Sequence, residues 1–307
     1  MTATVAGAAS SASVADTLTG AVSPAPLADT VARATPAAPL LSVVVPTRNE
    51  LGNVAVLVEA LSSALTAGTF ELIFADDSDD GTDIALEALA GRLNASLTVV
   101  HRARGMRVGG LGGAVAEVVR LARGEWVCVM DGDLQHPPEA VARMLARAAT
   151  GDVDLVVASR YCTSNPHLFN RLRNRPPVSR RPRTSPRISG RLRTLCSRAA
   201  CAVAAGTFPG QVESLSDPMS GFFLVRNDAL VVEALRPLGF KILLEILVRH
   251  PGLRVDEIAF VFGQRRSGQT KASALEAIRL VRQIIGALPA RGVRAHDHDA
   301  MIHASAR

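Results

Sequence analysis

The sequence predicts an α/β fold with a mostly parallel central sheet and helices on both of its faces. Short apolar runs rich in β-branched residues alternate along the chain with segments whose apolar residues recur at helical spacing. Acidic or glycine-rich turns follow several of the apolar runs, as they do where a strand is followed by a helix. This alternation is typical of a parallel sheet that binds ligands at the carboxyl ends of its strands.

The strands give the most regular pattern. We predict them at residues 41–45, 71–75, 97–100, 126–130, 155–158, 222–225 and 254–262. The first strand is expected to stop at Pro46, since proline cannot donate to a sheet ladder. The second strand ends in an acidic turn at residues 76–82, where aspartate and glycine favour a turn followed by the N-terminus of a helix.

Helices are predicted between these strands and after them. Apolar spacing places them at residues 53–65, 113–122, 138–149, 192–205, 242–249 and 275–288. Strands separated by helices of this length form parallel pairs joined by crossovers.

Three segments depart from this alternation. Residues 1–39 hold 13 alanines and three charged residues, so they bury too little surface to become ordered, and we expect a disordered tail. Residues 162–190 combine five prolines with arginines and are expected to form a long loop. Residues 291–307 are expected to be a flexible tail, which leaves one domain at residues 40–290.

The distribution of charge restricts the kind of partner. Residues 155–212 contain eleven arginines and no acidic residue, whereas the rest of the chain holds 23 basic and 28 acidic residues. A single basic band points to a localised anionic partner such as a phosphate, a lipid headgroup or a nucleic acid. Nucleic acid is disfavoured, because the band holds few aromatic residues on which bases could stack.

Composition also indicates the compartment. The four cysteines show no metal-ligand spacing, which predicts neither a disulfide scaffold nor a zinc site and favours a reducing environment. No Lys or Arg occurs before Arg33 and no compact apolar run follows the first residues, so a secretory signal is not expected. No stretch of about 18 apolar residues lacks a charge, and no membrane span is predicted.

Asp131-Gly132-Asp133 follows the predicted strand at residues 126–130, so both carboxylates lie at its carboxyl end. Paired carboxylates there suit a hard divalent cation, Mg²⁺ or Mn²⁺, that also bridges diphosphate oxygens. Gln135 could add a neutral oxygen. Taken alone, two aspartates at this spacing are equally compatible with an ordinary acidic turn.

Two neighbouring features are interpreted as structural. Residues 109–113 are glycine-rich but lack the G-x-G-x-x-G spacing of a dinucleotide-binding turn. His136 is expected to donate a hydrogen bond to the acidic turn at residues 131–135 or to lie at the surface, and not to bind the metal.

Further motifs occur in one order between residue 41 and about residue 275. They lie at residues 45–50, 76–82, 110–114, 131–135, 159–161, 193–199, 216–222, 239–245 and 265–271. The first half of this series resembles family 2 glycosyltransferases, which have the A-type glycosyltransferase fold. The second half is similar to the dolichyl- or polyprenyl-phosphate mannosyltransferase branch of that family.

The resemblance implies a set of site residues. Around the nucleotide base and ribose it places Pro46, Glu50, Asp76 and Asp77. On the metal and the donor diphosphate it places Asp131, Gly132, Asp133 and Gln135. Arg160, Arg193 and Ser197 would hold the acceptor phosphate, and Arg265 and Lys271 would contact the donor phosphates. Asp133, Arg160 and Arg265 are expected to be the catalytic residues.

The activity implied by the resemblance is an inverting, metal-dependent transfer of a sugar, foremost mannose from GDP-mannose, to a polyprenyl or dolichyl phosphate. A lipid phosphate is largely anionic at neutral pH and needs no general base, whereas arginines and a metal can hold two repelling anions in line. Two alternatives stay open: another nucleotide sugar such as UDP-glucose, or a hydroxyl acceptor with Asp217 as base.

A lipid acceptor also implies a membrane surface as a partner. Without a predicted span, attachment to the cytoplasmic face would be peripheral or through a membrane-anchoring partner protein. The arginine- and proline-rich loop at residues 162–190 is compatible with an acceptor lid that contacts anionic lipid and equally with a solvated insertion.

Overall fold

The computed structural model describes residues 38–93, 95–162, 206–208, 210–236, 239 and 241–263. A seven-stranded sheet with the order β3-β2-β1-β4-β6-β5-β7 forms its centre. The strands are β1 Leu41–Thr47, β2 Phe70–Asp76, β3 Ser96–His101, β4 Trp126–Val129, β5 Leu155–Ser159, β6 Phe223–Arg226 and β7 Val255–Ala259. Strand β6 runs antiparallel to β4 and β5, while the other described strands all point the same way. The prediction of a mostly parallel sheet is confirmed.

Helices cover both faces of the sheet, as predicted. Within the described ranges the α-helices are α1 Val54–Ala64, α2 Thr82–Ala90, α3 Gly110–Val119, α4 Glu139–Ala148, α5 Gln211–Ser214 and α6 Ile242–Arg249. Side chains alternate across a strand, so Leu72 and Phe74 of β2 pack with α1, α2 and α4, whereas Ile73 and Ala75 pack with α3, α5 and α6. Two apolar cores therefore sandwich the sheet.

Pro46 lies inside β1 and does not end it, so the expected stop at this proline is wrong. Strand β1 pairs with β2 through Thr47, but its pairing with β4 covers only Leu41 to Val44. Residues two apart in a strand direct their backbone N–H and C=O groups to the same side. The carbonyl oxygen of Val44 faces β4, since it accepts a hydrogen bond from the Met130 N–H. The nitrogen of Pro46 thus faces a position where the β4 ladder has already ended.

Helix α3 begins at Gly110, three residues before the predicted start. Gly109 and Gly110 have φ angles of 75° and 60°, a left-handed conformation that glycine adopts readily. The N–H of Gly112 donates to the carbonyl oxygen of Gly239 at 2.7 Å, which satisfies one of the unpaired donors at the start of the helix. A side chain at Gly113 would meet the Val108 carbonyl oxygen at 2.1 Å.

Most other boundaries fall within one or two residues of the prediction. Strand β7 is shorter than predicted, and helix α5 was not predicted. The predicted helices at residues 192–205 and 275–288 lie outside the described residues. So do both predicted tails and the loop at residues 162–190, except at positions 38, 39 and 162.

No helix in the described part of the chain combines the length and the apolar character needed to cross a bilayer. The carboxyl ends of the parallel strands meet at one edge of the sheet, together with the beginning of the reversed strand β6. We refer to this as the carboxyl edge. It carries the polar residues that the sequence singled out.

Candidate active site

The carboxyl edge brings together segments that are far apart in the chain. Strand β1 is followed by Arg48 to Glu50, β2 by Asp77, β4 by Met130 and the acidic turn, and β5 by Arg160. Asp217 lies shortly before β6, which enters the sheet at the same edge. The order of the strands in the sheet thus places motifs that are far apart in the sequence next to one another at the carboxyl edge.

Asp76 is fully buried and joins the ends of three strands. Its carboxylate accepts hydrogen bonds from Thr47 Oγ1 at 2.7 Å and from the hydroxyl of Ser78, and it contacts His101 Nδ1 at 2.7 Å. The side chains of Asp76, Asp83 and His101 each offer one potential metal-ligating atom, and these three atoms lie within 4.8 Å of one another. The bonds to Thr47 and Ser78 give Asp76 a structural role at this edge, whatever its part in ligand binding.

Asp77 forms a buried, two-pronged ion pair with Arg102. The guanidinium donates from Nε at 2.8 Å and from Nη2 at 2.7 Å, and Arg102 is 4% exposed. Arg102 also donates to the carbonyl oxygens of Val108 and Gly110, so it connects the end of β2 to the start of α3. Burial lowers the pKa of Arg102, but the hydrogen bonds and charges of Asp77 and Glu117 together outweigh this effect and raise it.

Glu50 links the start of α1 to the acidic turn after β2. Its N–H donates to Thr82 Oγ1 at 3.0 Å, and its carboxylate accepts from Asn53 Nδ2 at 2.6 Å. Pro46 lies four residues earlier in the buried strand β1. The residues predicted to bind the nucleotide base and ribose therefore share the ends of β1 and β2, and their contact with a nucleotide remains a prediction.

The acidic turn after β4, residues 131–135, has a tightly specified backbone. The carboxylate of Asp133 accepts the N–H of Gln135 at 3.0 Å, and Leu134 has a φ of 64°. A side chain at Gly132 would be tightly packed against β1, because a Cβ at this position would lie 3.1 Å from Thr47 Cγ2. Asp133 is 5% exposed, whereas the side chain of Asp131 is 39% exposed.

His136 lies beneath this turn and differs from both sequence-based expectations, since it is buried and accepts a hydrogen bond. Its Nδ1 accepts the backbone N–H of Asp131 at 2.9 Å. Its ring stacks on Phe222, with centroids 4.8 Å apart and planes 15° apart, and contacts Phe260 and Phe262 edge-on. Burial lowers the pKa of His136 to about 3, against the opposing effect of Asp133.

The donor set of the turn fits a hard divalent cation. Two carboxylates follow one strand, and carboxylate oxygens are the ligands that Mg²⁺ and Mn²⁺ prefer. Gly221 contributes to the fit, since a Cβ there would lie 3.5 Å from both carboxylate oxygens of Asp131. The absence of a side chain at Gly221 keeps one side of the Asp131 carboxylate accessible. The side-chain nitrogen of Gln135 donates to the Gly263 carbonyl, and its amide oxygen is the atom that could bind the ion.

The carboxyl edge has two centres. The first is the acidic turn at residues 131–135, and the second is formed by Arg160 and Asp217. The Arg160 guanidinium donates to Asp217 from Nε and from Nη2, and it lies 5.8 Å from the ring centroid of Phe262. Asp217 is fully buried, and its own N–H donates to Glu257 Oε1 at 3.0 Å. The other Glu257 oxygen accepts the N–H of Ser216 at 2.9 Å. Strands β5 and β7 thus fix the loop that precedes β6.

The two centres are adjacent. The Phe262 ring lies 5.6 Å from the His136 ring, centroid to centroid, and 5.8 Å from the Arg160 guanidinium carbon. Backbone hydrogen bonds also connect them, because Gly263, one residue beyond Phe262, donates its N–H to the Gln135 carbonyl at 2.8 Å. The structure therefore brings the turn that carries Asp133 next to Arg160, and the roles of both residues stay predictions. The predicted residues Arg193, Ser197, Arg265 and Lys271 lie outside the described residues.

Sequence reasoning missed three residues that position this site. Arg102 directly follows β3, where a buried arginine next to two aspartates of the neighbouring strand could have indicated an ion pair. Glu257 interrupts the apolar pattern of β7, a signal of a charged group with a specific task. Lys241 lies in the motif at residues 239–245, and it donates a hydrogen bond to the Met219 carbonyl at 2.9 Å.

Comparison with known proteins agrees with this architecture. Two examples from the solved structures illustrate the shared fold. Glucosyl-3-phosphoglycerate synthase from Mycobacterium tuberculosis has a TM-score of 0.56 and 20% identity, and the match covers 83% of this chain and 81% of that one. Mannosyl-3-phosphoglycerate synthase from Rubrobacter xylanophilus has a TM-score of 0.54 and 16% identity, and the match covers 83% and 76%. These likenesses confirm the predicted A-type glycosyltransferase fold.

Sequence relatives lead to the family. A dolichol-phosphate mannosyltransferase from Pyrococcus furiosus is 31% identical over 244 residues, which are 79% of this chain and 62% of the relative. The chain thus spans less than two thirds of that relative. A dolichol-phosphate mannosyltransferase from Saccharomyces cerevisiae is 30% identical over 79% of this chain and 85% of the relative. The family model for "Glycosyl transferase family 2" matches residues 42–211. The chain belongs to this family and is a glycosyltransferase.

Proposed function

We propose that the chain transfers mannose from GDP-mannose to a polyprenyl or dolichyl phosphate, with inversion and with Mg²⁺ or Mn²⁺ held by Asp131, Asp133 and Gln135. The observation that carries the proposal is that the acidic turn at residues 131–135 lies next to Arg160. His136 accepts a hydrogen bond from Asp131, and the Phe262 ring packs against both His136 and the Arg160 guanidinium. A site that joins two phosphorylated molecules needs carboxylates for a cation and a guanidinium for the second anion. Relatives named dolichol-phosphate mannosyltransferase support the choice of substrates.

The donor binds at the ends of β1, β2 and β4 in this proposal. Glu50 and Asp77 face the base and ribose, and Asp131 and Asp133 face the diphosphate. A bound divalent ion there would neutralise the diphosphate and make it a better leaving group. The chain's own contribution is to hold both carboxylates in one orientation before the donor arrives, because preorganised charge costs no rearrangement during the reaction.

The acceptor phosphate binds at Arg160. One of its oxygens forms the new bond to the anomeric carbon while the bond from that carbon to the nucleoside diphosphate breaks. The nucleophile is already an anion, so no proton has to be removed. Arg160 offsets the repulsion between this anion and the donor, and its planar fork also orients the phosphate. Attack from the side opposite the leaving group inverts the anomeric centre.

A hydroxyl acceptor with Asp217 as general base is the second candidate, and the geometry argues against it. Both carboxylate oxygens of Asp217 accept hydrogen bonds from Arg160, and the residue is fully buried. A base has to reach the proton that it removes. The contacts of Asp217 favour a role in orienting Arg160.

Another nucleotide sugar, such as UDP-glucose, would use the same carboxylates and differ at the base and the sugar ring. A nucleotide-sugar panel tests this alternative directly. The lipid acceptor further places the enzyme, in our proposal, at the cytoplasmic face of a membrane, bound peripherally or through a membrane-anchoring partner protein.

The decisive experiment incubates the purified full chain with labelled GDP-mannose, polyprenyl phosphate and Mg²⁺ or Mn²⁺, and measures the lipid-linked sugar. D131N is expected to lower kcat/KM by about 100-fold or more, which is the range for loss of a charge-stabilising group. D228N is the matched control, since Asp228 is an exposed aspartate at the opposite edge of the sheet. The proposal fails if the wild type forms no lipid-linked sugar, or if a different nucleotide sugar is clearly preferred.

A further inference from the structure

We propose that His136 is a positioning residue for the metal-binding turn: by accepting the backbone N–H of Asp131, its Nδ1 fixes the direction of the Asp131 carboxylate. This inference rests on the proposed function, in which Asp131 binds the cation. Nothing in the comparisons or in the motif pattern assigns a role to this histidine.

The turn needs such a constraint because its backbone is strained. Leu134 has a φ of 64°, and Asn49 is the other non-glycine residue with a positive φ in the described ranges. Branched and bulky side chains rarely adopt this conformation, which persists where surrounding contacts over-determine it. The turn therefore depends on its hydrogen bonds to stay in one shape.

The bond between Asp131 and His136 closes the turn. It spans five residues and joins the first position of the turn to the residue that follows its last position, at 2.9 Å. Inside it, the Gln135 N–H binds the Asp133 carboxylate, and outside it, Gly263 binds the Gln135 carbonyl. Of these three contacts, only the one from His136 is made to Asp131, the more exposed of the two aspartates proposed to bind the cation.

His136 can orient Asp131 because the packing of neighbouring aromatic rings fixes the position of its own imidazole ring. It is 2% exposed and packs flat against Phe222 and edge-on against Phe260 and Phe262. Its Nε2 lies 3.8 Å from Asp131 Oδ2, which is longer than a hydrogen bond. The histidine therefore orients Asp131 through the backbone N–H and not through a hydrogen bond to its carboxylate.

Three substitutions separate the hydrogen bond from the ring packing. H136F keeps an aromatic ring but removes the acceptor. H136N loses the ring but can place its side-chain oxygen near the position of Nδ1, whereas H136Q carries an oxygen one carbon farther out. Loss of a hydrogen bond to a metal-ligating residue commonly weakens metal affinity about 10- to 100-fold. We expect this loss in H136F and H136Q, and an affinity within about three-fold of the wild type in H136N.

The measurement is a titration of the full chain with Mn²⁺ in the presence of GDP, combined with thermal unfolding. Weak binding by H136F at an unchanged Tm, together with near-normal binding by the less stable H136N, supports the proposal. A purely structural role would make affinity follow Tm across the variants, and that outcome overturns it. Equal Mn²⁺ affinity in wild type and H136F also overturns it. Should H136F not fold, the comparison of H136N with H136Q decides.

A second readout separates failure of this inference from failure of the proposed function. If D131N binds Mn²⁺ as tightly as the wild type, the metal assignment itself is wrong. Amide hydrogen exchange of residues 131–136 in the metal-free protein then still tests the contact. Faster exchange in H136F than in H136N supports positioning by His136, and equal exchange rules it out.

Discussion

The Arg160 guanidinium donates two hydrogen bonds to the Asp217 carboxylate, from Nε at 2.7 Å and from Nη2 at 2.9 Å. Asp217 is fully buried, whereas the side chain of Arg160 is 27% exposed. The aspartate thus fixes one side of the guanidinium while the arginine still borders the carboxyl edge. This relationship gives Asp217 an orienting role and leads to a prediction that separates this role from base catalysis.

Substitution D217N is expected to raise the KM for polyprenyl phosphate about ten-fold or more while kcat changes less, because Arg160 loses its orienting partner. The free energy of unfolding should fall by about 3 kcal/mol, at the lower end for a broken buried ion pair, since Arg160 remains partly hydrated. Steady-state kinetics with each substrate varied in turn, together with urea unfolding, measure both effects.

Base catalysis by Asp217 would give a different pattern. It predicts a kcat lowered by about 10²- to 10⁴-fold with little change in KM, together with loss of the limb of the pH–rate profile that reports the base. R160K serves as the companion variant. It keeps the charge but not the two-pronged geometry, so it should reproduce the KM effect of D217N if orientation is the cause.

Glu257 supplies the next prediction, because it accepts the N–H groups of both Ser216 and Asp217. Glutamine at this position keeps one acceptor oxygen and presents an NH₂ group to the other N–H. E257Q should therefore destabilise the fold by about 1–3 kcal/mol, the usual cost of an unsatisfied buried donor. The KM for the acceptor should rise more than the KM for the donor, since the disturbed loop holds Arg160.

The neighbouring Asp256 provides the control for E257Q. It lies on the same strand, but its carboxylate pairs with Arg147 of α4 and is about half exposed. D256N should leave both KM values close to those of the wild type. Equal effects of D256N and E257Q on the acceptor KM would contradict a specific role for Glu257.

The sequence predicted the architecture of this protein well, because the signals were local. Alternating apolar runs located every described strand to within a few residues, and helix α6 was predicted with its observed bounds. Pro46 was misread because whether a proline ends a strand depends on which neighbour has already stopped pairing. That information lies in the register between β1 and β4, not in residues 41–47 themselves.

The positions of some candidate site residues in the fold could be predicted for the same reason. The acidic turn at residues 131–135 and Arg160 each directly follow a strand, so their place at the carboxyl edge was readable from the sequence, while their roles stay predictions. Arg102 and Glu257 were missed because their partners lie on other elements. The acceptor role of His136 was missed although Asp131 is only five residues away, because it depends on the shape of the turn and on the burial of the ring. The bond from Asp217 to Glu257 spans 40 residues, and the pair formed by Asp77 and Arg102 spans 25. Such contacts become visible only when the strand order is known.

Gly221 yields a steric prediction about the cation site. A Cβ there would lie at ordinary contact distance, 3.5 Å, from both Asp131 oxygens and 3.6 Å from His136 Cε1, so the fold should tolerate G221A. The added methyl group would cover the carboxylate. We expect Mn²⁺ affinity to be about ten-fold lower in G221A, an effect as large as the loss of a hydrogen bond that orients a metal ligand. The larger side chain in G221V should lower the affinity further. Titration with Mn²⁺ at constant GDP measures this.

The control for G221A is G252A, where a Cβ would meet nothing within 4 Å. It should bind Mn²⁺ like the wild type. If G221A also binds the ion with unchanged affinity while remaining folded, access to Asp131 past Gly221 does not matter for binding, and the proposed direction of approach is wrong.

The stability of the protein should depend on pH through Asp154, which lies at the end of the sheet opposite the site. Asp154 precedes β5 and accepts hydrogen bonds from Arg254 Nε at 2.9 Å and Nη2 at 2.8 Å, while Arg226 Nη1 lies 3.0 Å from the same carboxylate. The hydrogen bonds from Arg254 lower the pKa of Asp154 to about 2. A carboxyl group with a lowered pKa stabilises the folded state above its unfolded pKa near 3.8, and this contribution disappears as the pH falls toward 2.

D154N should therefore lower the free energy of unfolding at pH 7 by about 2 kcal/mol, which corresponds to the shift in pKa. The difference between wild type and variant should shrink steadily below about pH 4, because the wild-type carboxylate becomes protonated there and loses the same interaction. Urea unfolding at several pH values between 7 and 2.5 measures this convergence. A difference that stays constant down to pH 2.5 would mean that the loss in D154N comes from packing and not from the charge of Asp154. Activity at pH 7 should be unchanged, since Asp154 lies at the far end of β5 from Arg160.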